Sequence, residues 1–130
     1  MRLGLTLLYV EDFPRMLAFY RDVLALPFGG DDPGPGHDIG VDWVQFETEG
    51  GGALELFDHS RFGRSVELPY PRRNATVVTF RVASVEAEAD RLRAAGVELG
   101  ELHLADWGAA IHFFDPEGNH LQIYEVADKP

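Results

Sequence analysis

The chain has 130 residues, which fits one ordinary domain of roughly 100–200 residues, and its 45% apolar and 25% charged composition excludes a disordered chain. Eleven basic against 22 acidic residues give a net charge of −11, which repels phosphate backbones and anionic lipid, so neither nucleic acid nor a membrane surface is expected as a partner. Zero cysteines exclude a disulfide frame, a thiolate zinc site and a cysteine nucleophile; with no signal-peptide pattern and no run near the ~18 apolar residues of a membrane helix, a soluble, cytoplasmic protein is expected.

In chain order, residues 3–10 alternate as a strand does, with Thr6, Leu8 and Val10 on one face and Leu5, Leu7 and Tyr9 on the other. Asp12 is placed to cap a helix over about 13–25, whose buried stripe is Phe13, Leu17, Tyr20 and Leu24. Pro14 sits in its first turn, where proline costs nothing. A short strand near 27–30 and a Gly/Pro-rich loop at 31–40 lead to a hairpin, with strands at about 41–48 and 53–58 around a glycine turn at 49–52. Residues 59–73 hold Arg61, Arg64, Arg72 and Arg73 and read as a solvated linker or a segment closing over a ligand. A strand at 75–82 follows, then a helix at 85–95 capped by Ser84 and ended by Gly96. A strand near 97–104 and a hairpin at 109–126, turning at Pro116–Asn119, complete the chain.

These elements repeat. WVQFETEGGGALELFD (43–58) overlays AIHFFDPEGNHLQIYE (110–125) at an offset of 67 residues, with Val44 on Ile111, Phe46 on Phe113, Leu54 on Leu121 and Leu56 on Ile123. LYVEDFPRMLAFYRD (8–22) overlays FRVASVEAEADRLRA (80–94) at an offset of 72. The difference of five residues fits the 31–40 loop. The expected fold class is therefore α+β, two βαβββ modules forming an open curled sheet or barrel. All of 1–130 forms one domain, with module 1 at about 1–60, a linker at about 60–74 and module 2 at about 75–126.

Strand parity assigns the faces. With Val44, Phe46, Leu54 and Leu56 under the first helix, Trp43, Gln45, Glu47, Ala53, Glu55 and Phe57 take the opposite face. In the second module Ile111, Phe113, Leu121 and Ile123 pack inward, leaving Ala110, His112, Phe114, His120, Gln122 and Tyr124 opposite. The turn positions pair Gln45 with Glu55 and His112 with Gln122, and place Glu55 and Gln122 on the two walls of a cleft between modules. Polar groups on an aromatic concave face suit a small-molecule site.

LYVEDFPRMLAFYRDVLALPF (8–28), FRVASVEAEADRLRAAGVEL (80–99) and FFDPEGNHLQIYE (113–125) resemble the vicinal oxygen chelate superfamily, which includes glyoxalase I, extradiol dioxygenases, fosfomycin-resistance transferases and bleomycin-resistance proteins. The resemblance implies two βαβββ modules in an open barrel, a homodimer, and a divalent metal held by His, Glu or Gln from four strands. Carried onto this chain, those four positions are Leu5, Glu55, Val77 and Gln122. Two are aliphatic, and Glu55 with Gln122 alone would hold a divalent ion poorly, so no metal and no cofactor are expected.

The remaining candidate ligand-binding residues are Tyr9, Trp43, Gln45, Glu55, Phe57, Thr79, Trp107, His112, Gln122 and Tyr124, and Glu55 and His112 are the candidate catalytic residues. Glu55 is either a solvated or paired carboxylate, or a buried anchor for a cationic or hydrogen-bonding ligand, or a base; His112 is either satisfied by Gln122, or a base or ligand donor. Trp43 and Trp107 either pack the barrel or stack on a planar ligand. His37, His59, His103 and His120 receive no role. The function read from this is a metal-free small-molecule-binding protein of the bleomycin-resistance type, sequestering a planar or cationic compound. The alternative is a glyoxalase-like lyase or isomerase, or a dioxygenase-type enzyme, with a divergent site; a degenerate pocket serving only dimerisation is the blandest option. No phosphate-cradling loop, dinucleotide fingerprint or nucleophile triad is present.

Overall fold

In the computed structural model, residues 1, 4–29, 42–59 and 76–128 are described below. The 31–40 loop, the 60–73 part of the arginine-bearing segment and His37 lie outside them. The chain divides into two compact units, Met1–Pro69 and Tyr70–Pro130.

The first unit runs β1 (Thr6–Val10), α1 (Phe13–Ala18), a π-helical turn (Phe19–Val23), β2 (Trp43–Glu47) and β3 (Ala53–Asp58). Its sheet has the order β1-β3-β2, with β1 parallel and β2 antiparallel to β3. The second unit runs β4 (Val78–Arg81), α2 (Val85–Ala94), β5 (His103–Ala105), β6 (Gly108–Phe114) and β7 (His120–Val126), with the order β4-β7-β6-β5. This is the α+β, paired βαβββ architecture that the repeat predicts. The repeat holds residue by residue: Leu7 pairs with Glu55 in the first sheet, and Thr79, 72 residues on from Leu7, pairs with Gln122, 67 on from Glu55.

Local chemistry explains both helix starts. The Asp12 carboxylate accepts from the Arg15 backbone N–H at 3.2 Å, and the Ser84 hydroxyl accepts from the Ala87 N–H at 3.1 Å. In α2 the Val85 N–H also donates, at 3.0 Å, to the Glu125 carboxylate of β7, tying the helix start to the sheet.

Three expectations need correction. The first helix is not α-helical over 13–25: after Ala18 it widens into a π turn, with the Leu24 N–H donating to the Phe19 carbonyl at 2.9 Å, and it ends at Ala25 with φ +58°. The α-helical part buries Phe13, Met16 and Leu17, and the π turn buries Phe19 and Tyr20. The strand near 27–30 shrinks to a bridge between Phe28 and Phe46, flanked by Gly29 N–H to Gln45 O (3.3 Å) and Glu47 N–H to Pro27 O (3.1 Å). Pro27 has no N–H to extend the ladder, so this sheet has three strands rather than four. In the second unit, the strand near 97–104 is a bridge at Leu99 and then β5 at His103–Ala105. The pairing slips between them, after the Gly100 N–H donates to His112 O at 2.8 Å.

Parity is as expected on both sheets. Val44, Phe46, Leu54 and Leu56 are buried in the first unit, and Ile111, Phe113, Leu121 and Ile123 in the second. The register is held by this apolar side, which leaves the opposite face of each sheet free to carry chemistry.

Candidate functional site

On the first sheet, the face away from the core carries Tyr9 from β1, Trp43, Gln45 and Glu47 from β2, and Ala53, Glu55 and Phe57 from β3. Cross-strand pairing builds it in rows: Leu7–Glu55–Gln45 beside Tyr9–Phe57–Trp43. Phe57 sits between two rings, 6.2 Å from Tyr9 and 6.2 Å from Trp43, the latter edge-on. Tyr9 is 50% exposed, so this aromatic row has a face open to solvent.

Glu55 stands diagonally from Trp43 and is only 9% exposed. Burial pushes its carboxyl above the usual carboxylate range, and the Trp43 indole N–H, which donates to it, pulls part of the way back. A carboxyl with a raised pKa and one donor already fixed to it can accept from, or take a proton from, a group laid on the aromatic row.

On the second sheet the same side carries Thr79 and Arg81 from β4, His103 from β5, Ala110, His112 and Phe114 from β6, and His120, Gln122 and Tyr124 from β7. His112 and Gln122 are directly opposite, as the turn geometry predicts. The hydrogen bond of His112, however, goes to His120: Nδ1 and Nε2 lie 2.8 Å apart, with ring centroids at 4.8 Å. His120 in turn stacks on Phe114 at 5.1 Å and 26°. His120, to which the sequence reading gives no role, therefore shares this face with His112, and parity was the available signal, since it lies two residues before Gln122 on one strand. His103, opposite Ala110, shares that face for the same reason.

Trp107 is placed differently from the other candidates. It sits in the turn between β5 and β6, 49% exposed, with its ring 6.3 Å from His103. Thr79 is exposed, and Gln45, Gln122 and Tyr124 are half-buried.

The four positions that the resemblance assigns to a divalent ion do not fit one. Leu5, immediately before β1 and 39% exposed, and Val77, immediately before β4, carry no donor atom. Among the described residues no three His, Asp or Glu side chains converge as ligands.

A profile of the Glyoxalase/Bleomycin resistance protein/Dioxygenase superfamily matches residues 2–123. The chain belongs to that superfamily. It is 26% identical over 133 residues to the uncharacterized protein YraH of Bacillus subtilis (strain 168), covering 92% of this chain and 94% of that protein. Among solved structures it is similar to a lactoylglutathione lyase from Agrobacterium tumefaciens, at 26% identity and TM-score 0.68 over 95% of this chain and 92% of the other. TnmS3, an antibiotic binding protein from Streptomyces sp. CB03234, shares the fold at TM-score 0.70 and 22% identity, covering 98% and 97% of the two chains. Among the described residues of this superfamily member, no helix is long and apolar enough to cross a membrane.

Proposed function

We propose that this superfamily member binds a small planar or cationic molecule on the aromatic face of its first sheet, without the divalent ion of its metal-dependent relatives. The observation that carries the reading is Glu55: a carboxylate 9% exposed, held by the Trp43 indole and flanked by the Tyr9–Phe57–Trp43 row. A buried acid beside a row of aromatic rings suits a flat cation, whose charge meets the carboxylate while its π-face meets the aromatics. The aliphatic Leu5 and Val77 support a metal-free site, and an antibiotic binding protein on the same fold makes sequestration a natural use of it. The reading includes a homodimer in the cytoplasm, which light scattering tests: a mass near 14.5 kDa at micromolar concentration overturns the dimer.

The test is a fluorescence titration of a Trp107→Phe variant, which leaves Trp43 as the reporter, against paired cationic and neutral aromatic compounds. Saturable quenching by a cation supports the proposal; no response to any compound, with the fold intact by circular dichroism, overturns it.

One observation favours a second reading. The raised pKa of Glu55 moves a carboxylate toward the range where it serves as a general base, as a glyoxalase-like isomerase or lyase requires. Proton abstraction by Glu55 predicts that Glu55→Gln abolishes turnover while a neutral aromatic still binds. A pure binding protein shows no turnover in either form.

A further inference from the structure

The imidazole pair of the second sheet has no counterpart in the first. Ala53 and Gln45 stand where His120 and His112 stand, so the pair is not a product of the repeat. Its two nitrogens already meet at 2.8 Å, His112 Nδ1 against His120 Nε2, in a half-buried setting that solvent reaches. A neutral imidazole has one donor and one acceptor nitrogen, so one proton lies between the rings and the remaining lone pair is directed at it.

A divalent ion can take that proton's place. Metal–imidazole bonds are about 2.0–2.1 Å long, so two cis ligands of a tetragonal ion lie about 2.9 Å apart, against roughly 3.4 Å in a tetrahedral one. The two nitrogens now stand 2.8 Å apart across a hydrogen bond, within reach of either value. Bringing both lone pairs onto one ion requires only rotation about the imidazole χ2 bonds, which are soft torsions. Because the two rings already stand side by side across a 2.8 Å hydrogen bond, little conformational freedom is lost on chelation.

We infer that His112 and His120 form a two-imidazole chelate for a divalent transition ion, with Ni(II) as its probe. This site is separate from the four positions that the family resemblance assigns to a metal, and it stands independently of the ligand proposed for Glu55. Water completes the coordination.

The experiment is calorimetric titration of the full-length chain with NiCl2 at neutral pH, for the wild type and for His112→Gln, His120→Gln and His103→Gln. One ion per chain is expected. Losing an outer partner of a metal ligand typically costs 10–100-fold in affinity, so losing a ligand itself is expected to weaken binding at least about tenfold in either of the first two variants. His103→Gln, opposite Ala110 on the edge strand, leaves it unchanged. The melting temperature of each metal-free variant checks its fold, and a second readout needs no variant: during the wild-type titration, the ring resonances of His112 and His120 shift or broaden before those of His59 and His103. Equal affinity in wild type and His120→Gln, ring signals led by another histidine, or no saturable binding would each overturn the assignment.

Discussion

The two sheets share a register and differ in nearly every functional side chain. Row for row, Leu7–Glu55–Gln45 in the first corresponds to Thr79–Gln122–His112 in the second, and Tyr9–Phe57–Trp43 to Arg81–Tyr124–Ala110. One face is acidic and aromatic; the other carries imidazoles, an amide and an arginine. Behind them the buried positions barely change, with Val44, Phe46, Leu54 and Leu56 against Ile111, Phe113, Leu121 and Ile123. Packing fixes the backbone from one side, so the other side can diverge at little cost in stability.

The comparison breaks most visibly in the core. Phe46→Ala and Phe113→Ala each remove a fully buried ring at equivalent positions, and each should cost about 3–5 kcal/mol in urea denaturation. Phe46 should lie at the upper end, because it also stacks on Phe28 at 5.6 Å and 16°. A near-neutral effect at either position would show that its unit does not depend on the packing that defines the register.

The next largest effect concerns the faces. Glu55→Gln should weaken a cationic aromatic by ~1–3 kcal/mol through the lost charge-assisted hydrogen bond, and leave a neutral one nearly untouched. Gln122→Ala, at the equivalent position of the second sheet, should change neither. Fluorescence titration of both variants reads the contrast, and equal losses for the two compound classes would remove the charge from the argument.

How much of this could be read from the sequence depends on which interactions set each feature. Period-two alternation and turn position are local, so the pairs Gln45–Glu55 and His112–Gln122 and the inward aliphatics were all legible. The partner of His112 was not. Gln122 is opposite in register, but the diagonal His120 makes the bond, because side-chain rotamers and the Phe114 stack choose between neighbours. The π turn after Ala18 was hidden for a similar reason: the apolar residues at 13, 16, 17, 19 and 20 fit an α-helical stripe well enough, and only packing against the sheet selects the wider turn.

The helix ends supply a smaller test. Both first turns of chain after the helices pass through the left-handed region, at Ala25 with φ +58° in the first unit and at Gly96 with φ +88° in the second. Only the second uses the residue suited to it. Gly96→Ala should therefore destabilise by about 1 kcal/mol even though a Cβ there meets open space, and Ala25→Gly should stabilise by roughly 0.5–1 kcal/mol. If thermal melts show Ala25→Gly to be destabilising, the first helix ends under a constraint that the second lacks.

The smallest effect is the pH dependence that Glu55 gives the first sheet. Burial holds its folded-state pKa above the ordinary 4.5. Between that value and the raised one, the folded chain keeps a proton that the unfolded chain has released. Stability therefore falls as pH rises through this window, and the cost persists at neutral pH. Glu55→Gln does not titrate, so its stability should gain on wild type across the same window and hold that gain above it, while below 4.5 the difference between the two should be constant. Trp43 limits the effect, because its indole N–H favours the ionised form; the second sheet has Ala110 at the matching position. Trp43→Phe removes the donor and keeps a ring, so the window should extend to higher pH. Urea titrations at intervals from pH 4 to 8 read the slope, and a wild-type curve parallel to that of Glu55→Gln throughout would mean that the carboxyl is solvated in the folded chain rather than buried against the indole.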